Sequence, residues 1–343
     1  MLRSLLKEVV EQRRTLLRVE AREALDAMLQ GAASEVEMAA MLAAMAVRGE
    51  TAAELAGFAD GLRAVATPLP LSDAERARLV DTCGTGGDGL GTFNISTGAA
   101  LVASAAGALV AKHGNRAVTS KSGSADVLEA LGVPVELSAD QSVDCLRATG
   151  FMFLYAPALR PAMARLAPVR RALGFRTIFN VVGPLTNPAG ALAQVMGVWT
   201  ESQLPVVAEA MELLGVRRAF VVHGDGLDEL TVSGTSHAVE VNSGAPPRRF
   251  TLEPEELGLV RAPVSALGGG GSAAESAAIL LAIFNGEQRG AAREVVLLNA
   301  AAALVAGGVA ENLQDGIHRA GAAIDDGAAL DLIARLRSFR AQP

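Results

Sequence analysis

The sequence predicts an α/β fold, a mostly parallel central sheet flanked by helices, preceded by a smaller all-helical N-terminal domain. Three observations predict it. From residue 71 onward, short β-rich runs alternate with amphipathic helices, the mark of a parallel sheet. Residues 1 to 66 read as helices throughout. Between the two, Thr67-Pro-Leu-Pro70 breaks the helical pattern and reads as a linker. The expected domains are 1–68 and 71–343.

In chain order, Ser34-x-x-Glu37 and Thr51-x-x-Glu54 fit capping boxes and mark two helix starts. Met38, Met41 and Met45 lie on one helical face. Such a stripe either packs a core or, left exposed, needs a covering subunit. Ser72-x-x-Glu75 opens a short helix leading to Asp81. Strands are expected near Ala108–Lys112, Val133–Leu137, Phe151–Leu154, Val195–Trp199 and Ala219–His223. Helices are expected from Ser96, Ser124, Ser138 and Thr200, the last two supported by Ser138-x-x-Gln141 and Thr200-x-x-Gln203. Residues 156 to 190 interrupt this rhythm with a proline-punctuated helical stretch carrying Arg160, Arg165, Arg170, Arg171 and Arg176. A charge run is usually a solvated face. Gly224-Asp-Gly-Leu-Asp-Glu229 follows the strand residues Val221 and Val222. Carboxylates just past a strand end suit the ligand crevice of a parallel sheet, or equally a polar turn with a helix cap. Gly268–Gly271 reads as a flexible loop and a candidate lid hinge, and Ser272 to Phe339 as helix-rich. Asn299, within an apolar helix, is expected to be hydrogen-bonded in the core.

Half of the 343 residues are hydrophobic but only 3% are aromatic, so the core should be mainly Ala, Val and Leu. A formal net charge of −7 argues against general nucleic-acid binding, which needs a basic surface. A polyanionic ligand must then be held by a local basic site working against the overall field. Cys83 and Cys145 are far apart and suggest neither a disulfide framework nor a zinc site. Cys83 reads as a small packing residue rather than a reactive thiol. The first residues mix Arg3, Lys7, Glu8 and Glu11 among apolar positions, unlike a signal peptide. No apolar run reaches the ~20 residues of a membrane span, so a cytoplasmic protein without membrane contact is expected.

The stretch from Asp81 to Asp126 holds the clearest chemistry. Gly84, Gly86, Gly87, Gly89 and Gly91 carry no Cβ and let backbone N–H groups approach a ligand. Asn94, Ser96 and Thr97 fall where a helix begins, and unpaired N–H groups there favour an anion. About 20 residues further on, Lys112, Arg116 and Lys121 add fixed positive charge in a second loop. The glycine loop alone is equally a tight strand-to-helix turn, and it is neither a Walker loop nor a dinucleotide fingerprint. The two loops together read as a cradle for a polyphosphorylated sugar.

Gly84-Thr-Gly-Gly-Asp88, Asn94-Ile-Ser-Thr97, Lys112-His-Gly-Asn-Arg116 and Ser122-Gly-Ser-Ala-Asp126 are followed by Ala167-Pro-Val-Arg170, Gly174-Phe-Arg-Thr-Ile-Phe-Asn180 and Gly183-Pro-Leu-Thr-Asn-Pro188. On these motifs, in this order, the chain resembles the anthranilate phosphoribosyltransferases over nearly its whole length. The resemblance implies a nucleoside phosphorylase/phosphoribosyltransferase-like fold. It also implies a homodimer formed through the small helical domain, which would make the Met stripe an interface, with part of 156–190 packing against that domain and closing one wall of the site. The implied reaction transfers the phosphoribosyl group of 5-phosphoribosyl 1-diphosphate to the amine of anthranilate, releasing diphosphate, in tryptophan biosynthesis. Gly84, Gly87, Asp88, Thr92, Asn94, Ile95, Ser96, Thr97, the run Lys112, His113, Gly114, Asn115, Arg116, Ala117, Val118, Thr119 and Ser120, and Ser124 match the family's donor positions. Gly84, Asn115 and Arg170 match its acceptor positions. Ser96, Asp228 and Glu229 match its positions for Mg²⁺, the implied cofactor.

Asp88 would repel phosphate, and so accepts from a ribose hydroxyl, orders its loop or reaches metal through water. His113 is either a general base or a residue that shapes the loop. His223, His237 and His318 read as structural. Two positions depart from the family: Arg160 stands before Pro161-Ala-Met where His is usual, and Ser276 stands where Asn is usual. The first lies on the acceptor side, so it bears on acceptor affinity and leaves the donor motifs untouched. The rival readings are a pyrimidine nucleoside phosphorylase and a non-catalytic nucleic-acid-binding relative. Lys112-His-Gly-Asn-Arg116 with paired Asp228 and Glu229 favours the diphosphate donor, and the net charge of −7 counts against nucleic acid.

Overall fold

The computed structural model describes residues 2–86, 89–117 and 122–339. The chain opens with four helices, α1 (Leu2–Gln12), α2 (Arg18–Gln30), α3 (Glu35–Arg48) and α4 (Ala52–Ala64). Both expected capping boxes form: Glu37 and Glu54 donate their amides to the Ser34 and Thr51 hydroxyls, and their carboxylates close back on the cap amides. The fully buried Glu54 carboxylate also accepts from Leu16 N at 2.8 Å and from the Arg48 guanidinium at 2.6 Å, tying the α1–α2 connection to α4.

Met38, Met41 and Met45 are 2%, 0% and 0% exposed in the single chain. They pack in one cluster with α1, α2, α4 and residues Leu166 to Val182, because α3 lies between α1 and the segment that crosses back from the second domain. The expectation of an interface on this stripe is therefore corrected: it is core. The apolar stripe left outside is the opposite face, Val36, Ala40, Ala43 and Val47, with both valines exposed.

After α5 (Asp73–Arg76) the second domain builds seven strands: β1 (Leu79–Gly84), β2 (Leu109–Gly114), β3 (Phe151–Tyr155), β4 (Ala193–Gly197), β5 (Arg218–Gly224), β6 (Ser236–Asn242) and β7 (Ala245–Leu252). Their order is β3-β2-β1-β4-β5-β6-β7, parallel through β5 and antiparallel thereafter. Between β1 and β4 the winding reverses, and a parallel sheet opens a crevice beyond its strand ends at such a point. The intervening helices are α6 (Ile95–Ala105), α7 (Ser124–Ala130), α8 (Ala139–Thr149), α9 (Ala156–Leu159), α10 (Ala167–Leu173), α11 (Ile178–Val182) and α12 (Gln203–Leu213). The chain closes with α13 (Ala273–Phe284), α14 (Ala291–Ala306), α15 (Leu313–Asp325) and α16 (Ala328–Ser338).

Strand alternation divides the core. Phe220 and Val222 of β5 face α6 and α13 to α16, whereas Ala219 and Val221 face α12 and a cluster continuous with the helical domain. Asn299 lies in the first cluster as expected, exchanging hydrogen bonds with the backbone of Leu230 at 3.1 and 2.8 Å.

Val133–Leu137 is not a strand. Pro134 removes a ladder donor, and Val133 and Val135 instead enter the core from irregular backbone. The helix expected from Thr200 begins at Gln203, since the Thr200 hydroxyl engages Ser202 rather than capping the helix. β1 and the β6–β7 hairpin are additional to the expected strands. Gly268–Gly271, expected as a free hinge, is pinned to the first glycine loop: Gly270 N donates to Gly91 O at 3.0 Å and Phe93 N to Leu267 O at 3.2 Å.

Beneath the strand ends lie two buried groups of opposite charge that act on each other without direct contact. Asp81 of β1 is 0% and Lys112 of β2 1% exposed. The Asp81 carboxylate accepts from His113 N at 3.1 Å and from Gln194 Nε2 at 3.5 Å. Burial pushes its pKa up to about 6, against the pull of hydrogen bonds and of Lys112, and lowers that of Lys112. The folded state thus holds the Asp81 proton more tightly than the unfolded chain does. The stabilisation is complete below the usual carboxylate range and is lost as pH rises through about 6. Urea titrations should show wild-type stability falling relative to Asp81→Asn by roughly 2–3 kcal/mol between about pH 4 and about pH 6.5. Parallel profiles for the two proteins would contradict the buried titration.

Candidate active site

Lys112 places the first groups. Its ammonium donates to Thr82 O at 2.7 Å and to Ser96 Oγ at 3.3 Å, and the Thr82 hydroxyl donates to Ser96 O at 3.1 Å. One buried cation therefore fixes the end of β1, the start of α6 and β2 against one another. Expected as a phosphate ligand, Lys112 is instead buried and committed to these two acceptors, so it organises the cradle from below. At the start of α6, Asn94 caps no backbone amide; its side-chain carbonyl accepts from Thr97 Oγ1. Among the described residues the N-cap thus leaves the first-turn amides of α6 uncapped, which suits an anion at its N-terminus. Ile95 and Thr97 are buried, while Thr92, Asn94 and Ser96 are half-buried at the rim.

The acidic pair arrives from the other side. After β5, a tight turn with Asp225 at φ 49° and Gly226 at φ 87° folds the chain back on itself. Asp228 then lies over the ends of β1 and β4, where Gly84 pairs with Gly197. A Cβ on Gly84 would lie 2.1 Å from Asp228 Oδ2, and one on Gly197 1.5 Å from Asp228 O, so only glycine fits at either position. Asp228 Oδ2 accepts from Gly86 N at 2.6 Å, which ties the glycine loop to the acid. Glu229 is half-buried and close enough to Lys112 and Cys83 to act on the proton affinity of both. Burial raises the Cys83 thiol well above its usual range, in keeping with a packing role. Ser96 thus lies against Lys112, Asp228 lies over the end of β1, and Glu229 is near enough to Lys112 to act on its charge. Two carboxylates and a hydroxyl suit Mg²⁺, which keeps several waters and takes further ligands from substrate phosphates.

The second loop is held by acids. Asp126 accepts from Ala117 N at 2.8 Å and Gly123 N at 2.9 Å. The Ser124 hydroxyl lies where a Gly114 Cβ would be, 2.0 Å away. Arg116 stacks on Tyr155 and pairs with Asp126, Glu129 and Glu136, which raise its proton affinity. Its charge is therefore neutralised within the loop, contrary to the expectation of a cation free for phosphate. Asn115 is exposed, with Oδ1 accepting from Arg116 N. Gly87, Asp88, Val118, Thr119, Ser120 and Lys121, named above from the sequence, lie outside the described residues.

In the crossing segment, Leu166, Val169, Ile178 and Phe179 enter the helical-domain core. It carries Arg170, whose guanidinium lies 5.4 Å from the Phe179 ring centre and has its proton affinity lowered by burial. Among the described residues no hydrogen bond or ion pair engages that guanidinium. His113 is 8% exposed, its Nε2 without a partner among the described residues, and burial followed by Arg160 and Lys112 holds its pKa well below the usual imidazole value. It is thus neutral and a weak base. His223 Nδ1 donates to Val198 O at 2.9 Å, and His237 lies beside Glu201. Sequence reasoning missed Thr82, Gln194 and Gly197. An Asp-Thr pair after Leu79 and Val80 was the available signal for a polar strand end.

No helix among the described residues is long and apolar enough to cross a membrane. Residues 3–66 match the helical bundle domain of a glycosyl transferase family, and residues 76–330 match its a/b domain. An anthranilate phosphoribosyltransferase of Brevibacillus brevis is 53% identical over 74% of this chain and 73% of its own length. One of Pelotomaculum thermopropionicum is 48% identical over 99% and 96%. The crystal structure of anthranilate phosphoribosyltransferase (TrpD) from Thermus thermophilus superposes with a TM-score of 0.90 at 44% identity, covering 97% of this chain and 98% of that one. The Saccharomyces cerevisiae enzyme in complex with PRPP and Mg gives a TM-score of 0.88 at 28% identity over 98% and 96%. With its two-domain fold, its paired glycine and acidic loops and these likenesses, the chain belongs to the anthranilate phosphoribosyltransferases.

Proposed function

We propose that the crevice between the two loops and the crossing segment carries out the family's reaction with the residues described above in distinct roles. The chain is a pentosyltransferase that joins anthranilate to the phosphoribosyl group of 5-phosphoribosyl 1-diphosphate. The C1–O bond to diphosphate breaks, the anthranilate nitrogen forms a bond to C1, and that nitrogen then loses a proton. The ribose acquires positive charge and the leaving group negative charge, so electrostatic placement supplies most of the catalysis.

The observation that carries this reading is the convergence of Asp228, Gly84 to Gly86 and Ser96 at the topological reversal of the sheet. The glycine loop and the uncapped start of α6 offer amides to the donor's phosphates. Ser96, Asp228 and Glu229 would hold Mg²⁺, whose charge offsets that of the departing diphosphate. Gly87, Asp88 and Val118 to Ser120 complete the donor contacts on this reading. Arg170, a half-buried guanidinium without a counter-ion among the described residues, takes the carboxylate of anthranilate, with Asn115 and Gly84 beside it. His113, neutral and nearly buried, shapes the acceptor wall rather than removing the proton, which an arylammonium gives up readily to water. We place the enzyme in the cytoplasm as a homodimer joined through the uncovered face of α3.

Arg170→Ala should raise the KM for anthranilate roughly tenfold to a hundredfold while leaving that for the donor nearly unchanged, in steady-state assays following anthranilate fluorescence. Equal weakening of both substrates would place Arg170 elsewhere. Asp228→Asn combined with Glu229→Gln should abolish the response of turnover to added Mg²⁺; a double variant with the wild-type Mg²⁺ dependence would refute the metal assignment. Val36→Glu with Val47→Glu, both on exposed positions, should leave the thermal melt of the subunit fold intact and shift the sedimentation coefficient to that of a monomer. A variant that sediments as wild type would move the interface off this face.

A further inference from the structure

Arg160 is a buried cation that no group among the described residues pairs with. It is 4% exposed, and its Nε and Nη2 have no hydrogen-bond partner among those residues. Its backbone is held on both sides: Arg160 N donates to Ala156 O at 3.0 Å and Met163 N donates to Arg160 O at 3.1 Å. The backbone at Arg160 is thus fixed between α9 and the following turn. Its charged neighbours are Arg63 of α4, which repels it, and Asp81, which attracts it. Asp81 is already engaged with His113 N and Gln194. Arg63 is anchored on Leu185 O and Leu214 O, so it offers no compensation. The group against which Arg160 acts in turn is His113, whose Nε2 is likewise buried and unpartnered.

Two side chains near enough to act on each other's charge, each more than nine-tenths buried, therefore carry three nitrogen atoms with no partner among the described residues. Buried polar atoms of this kind are rare unless a ligand or water completes them. A guanidinium presents a planar fork that matches a carboxylate, and His113 Nε2 can complete the contact as a donor in one tautomer. Arg170 stands ten residues further along the same crossing segment, its own guanidinium also unpaired among the described residues, and Asn115 follows His113 by two positions.

We propose that Arg160 determines acceptor specificity: with His113 it binds a second carboxylate on the ring of the aromatic amine, while Arg170 binds the carboxylate next to the amine. This rests on the acceptor site assigned under the proposed function. The preferred acceptors are then anthranilates bearing a further ring carboxylate, in addition to anthranilate itself.

The test compares kcat/KM for anthranilate, 2-aminoterephthalate and 4-aminoisophthalate, with saturating donor and Mg²⁺, in the full-length wild type, Arg160→Gln and Arg160→Lys. Wild type should turn over at least one dicarboxylate. In Arg160→Gln the ratio of dicarboxylate to anthranilate kcat/KM should fall roughly tenfold to a hundredfold, mainly through KM, and Arg160→Lys should recover part of it. A role confined to folding would lower both acceptors together and leave the ratio in place, which would overturn the proposal. Should Arg160→Gln fail to fold, inhibition of wild-type anthranilate turnover decides: competitive inhibition by a dicarboxylate at or below the anthranilate KM supports the site. A wild type that uses anthranilate yet neither converts nor binds the dicarboxylates overturns it. Wild type inert toward anthranilate would instead sink the reaction assignment on which it rests.

Discussion

The architecture of the crevice depends on one buried ammonium. Lys112 holds Thr82 O and Ser96 Oγ together, and so fixes β1, α6 and β2 at their common edge. A lysine this deep is costly by itself, and Asp81 below it supplies the compensating charge. The same aspartate holds the backbone of His113, so the second loop starts from a fixed point. The end of β1 and the start of α6 are thereby set from beneath, by buried groups.

Recognition on the rim is built from backbone and from uncompensated charge. The glycines at 84 and 197 let Asp228 settle directly on the strand ends, an approach that any Cβ would block. On the opposite side, the crossing segment brings arginines from the second domain onto the surface of the first. Its apolar residues enter the helical-domain core, which fixes the two domains to each other.

Much of this was legible in the sequence. Ser34, Thr51, Ser72 and Ser138 were readable as caps because a capping box is a local interaction three residues long. The glycine loop and the Asp228-Glu229 pair were readable because close backbone approach and strand-end acids leave compositional traces. What escaped was set by distant partners. Arg116 looks like a phosphate ligand until Glu129 and Glu136 are folded onto it. Lys112 looks exposed until Asp81 is placed beneath it. The methionines of α3 could face either way, and only the crossing segment decides that they face inward. Ser276, a departure visible in the sequence, is fully buried with a hydroxyl that has no partner among the described residues, and nothing in the structure explains the choice.

The β6–β7 hairpin escaped for a related reason, since Pro246 and Pro247 argue against a strand unless it lies at the margin of a sheet. β7 is that margin. The two prolines remove amide donors from the margin of the sheet, while the neighbouring Arg248 and Arg249 pair with Glu240 and Glu201. A second molecule that tried to extend the sheet along this border would find no continuous hydrogen-bonding row. The hairpin thus acts as a terminator of the sheet.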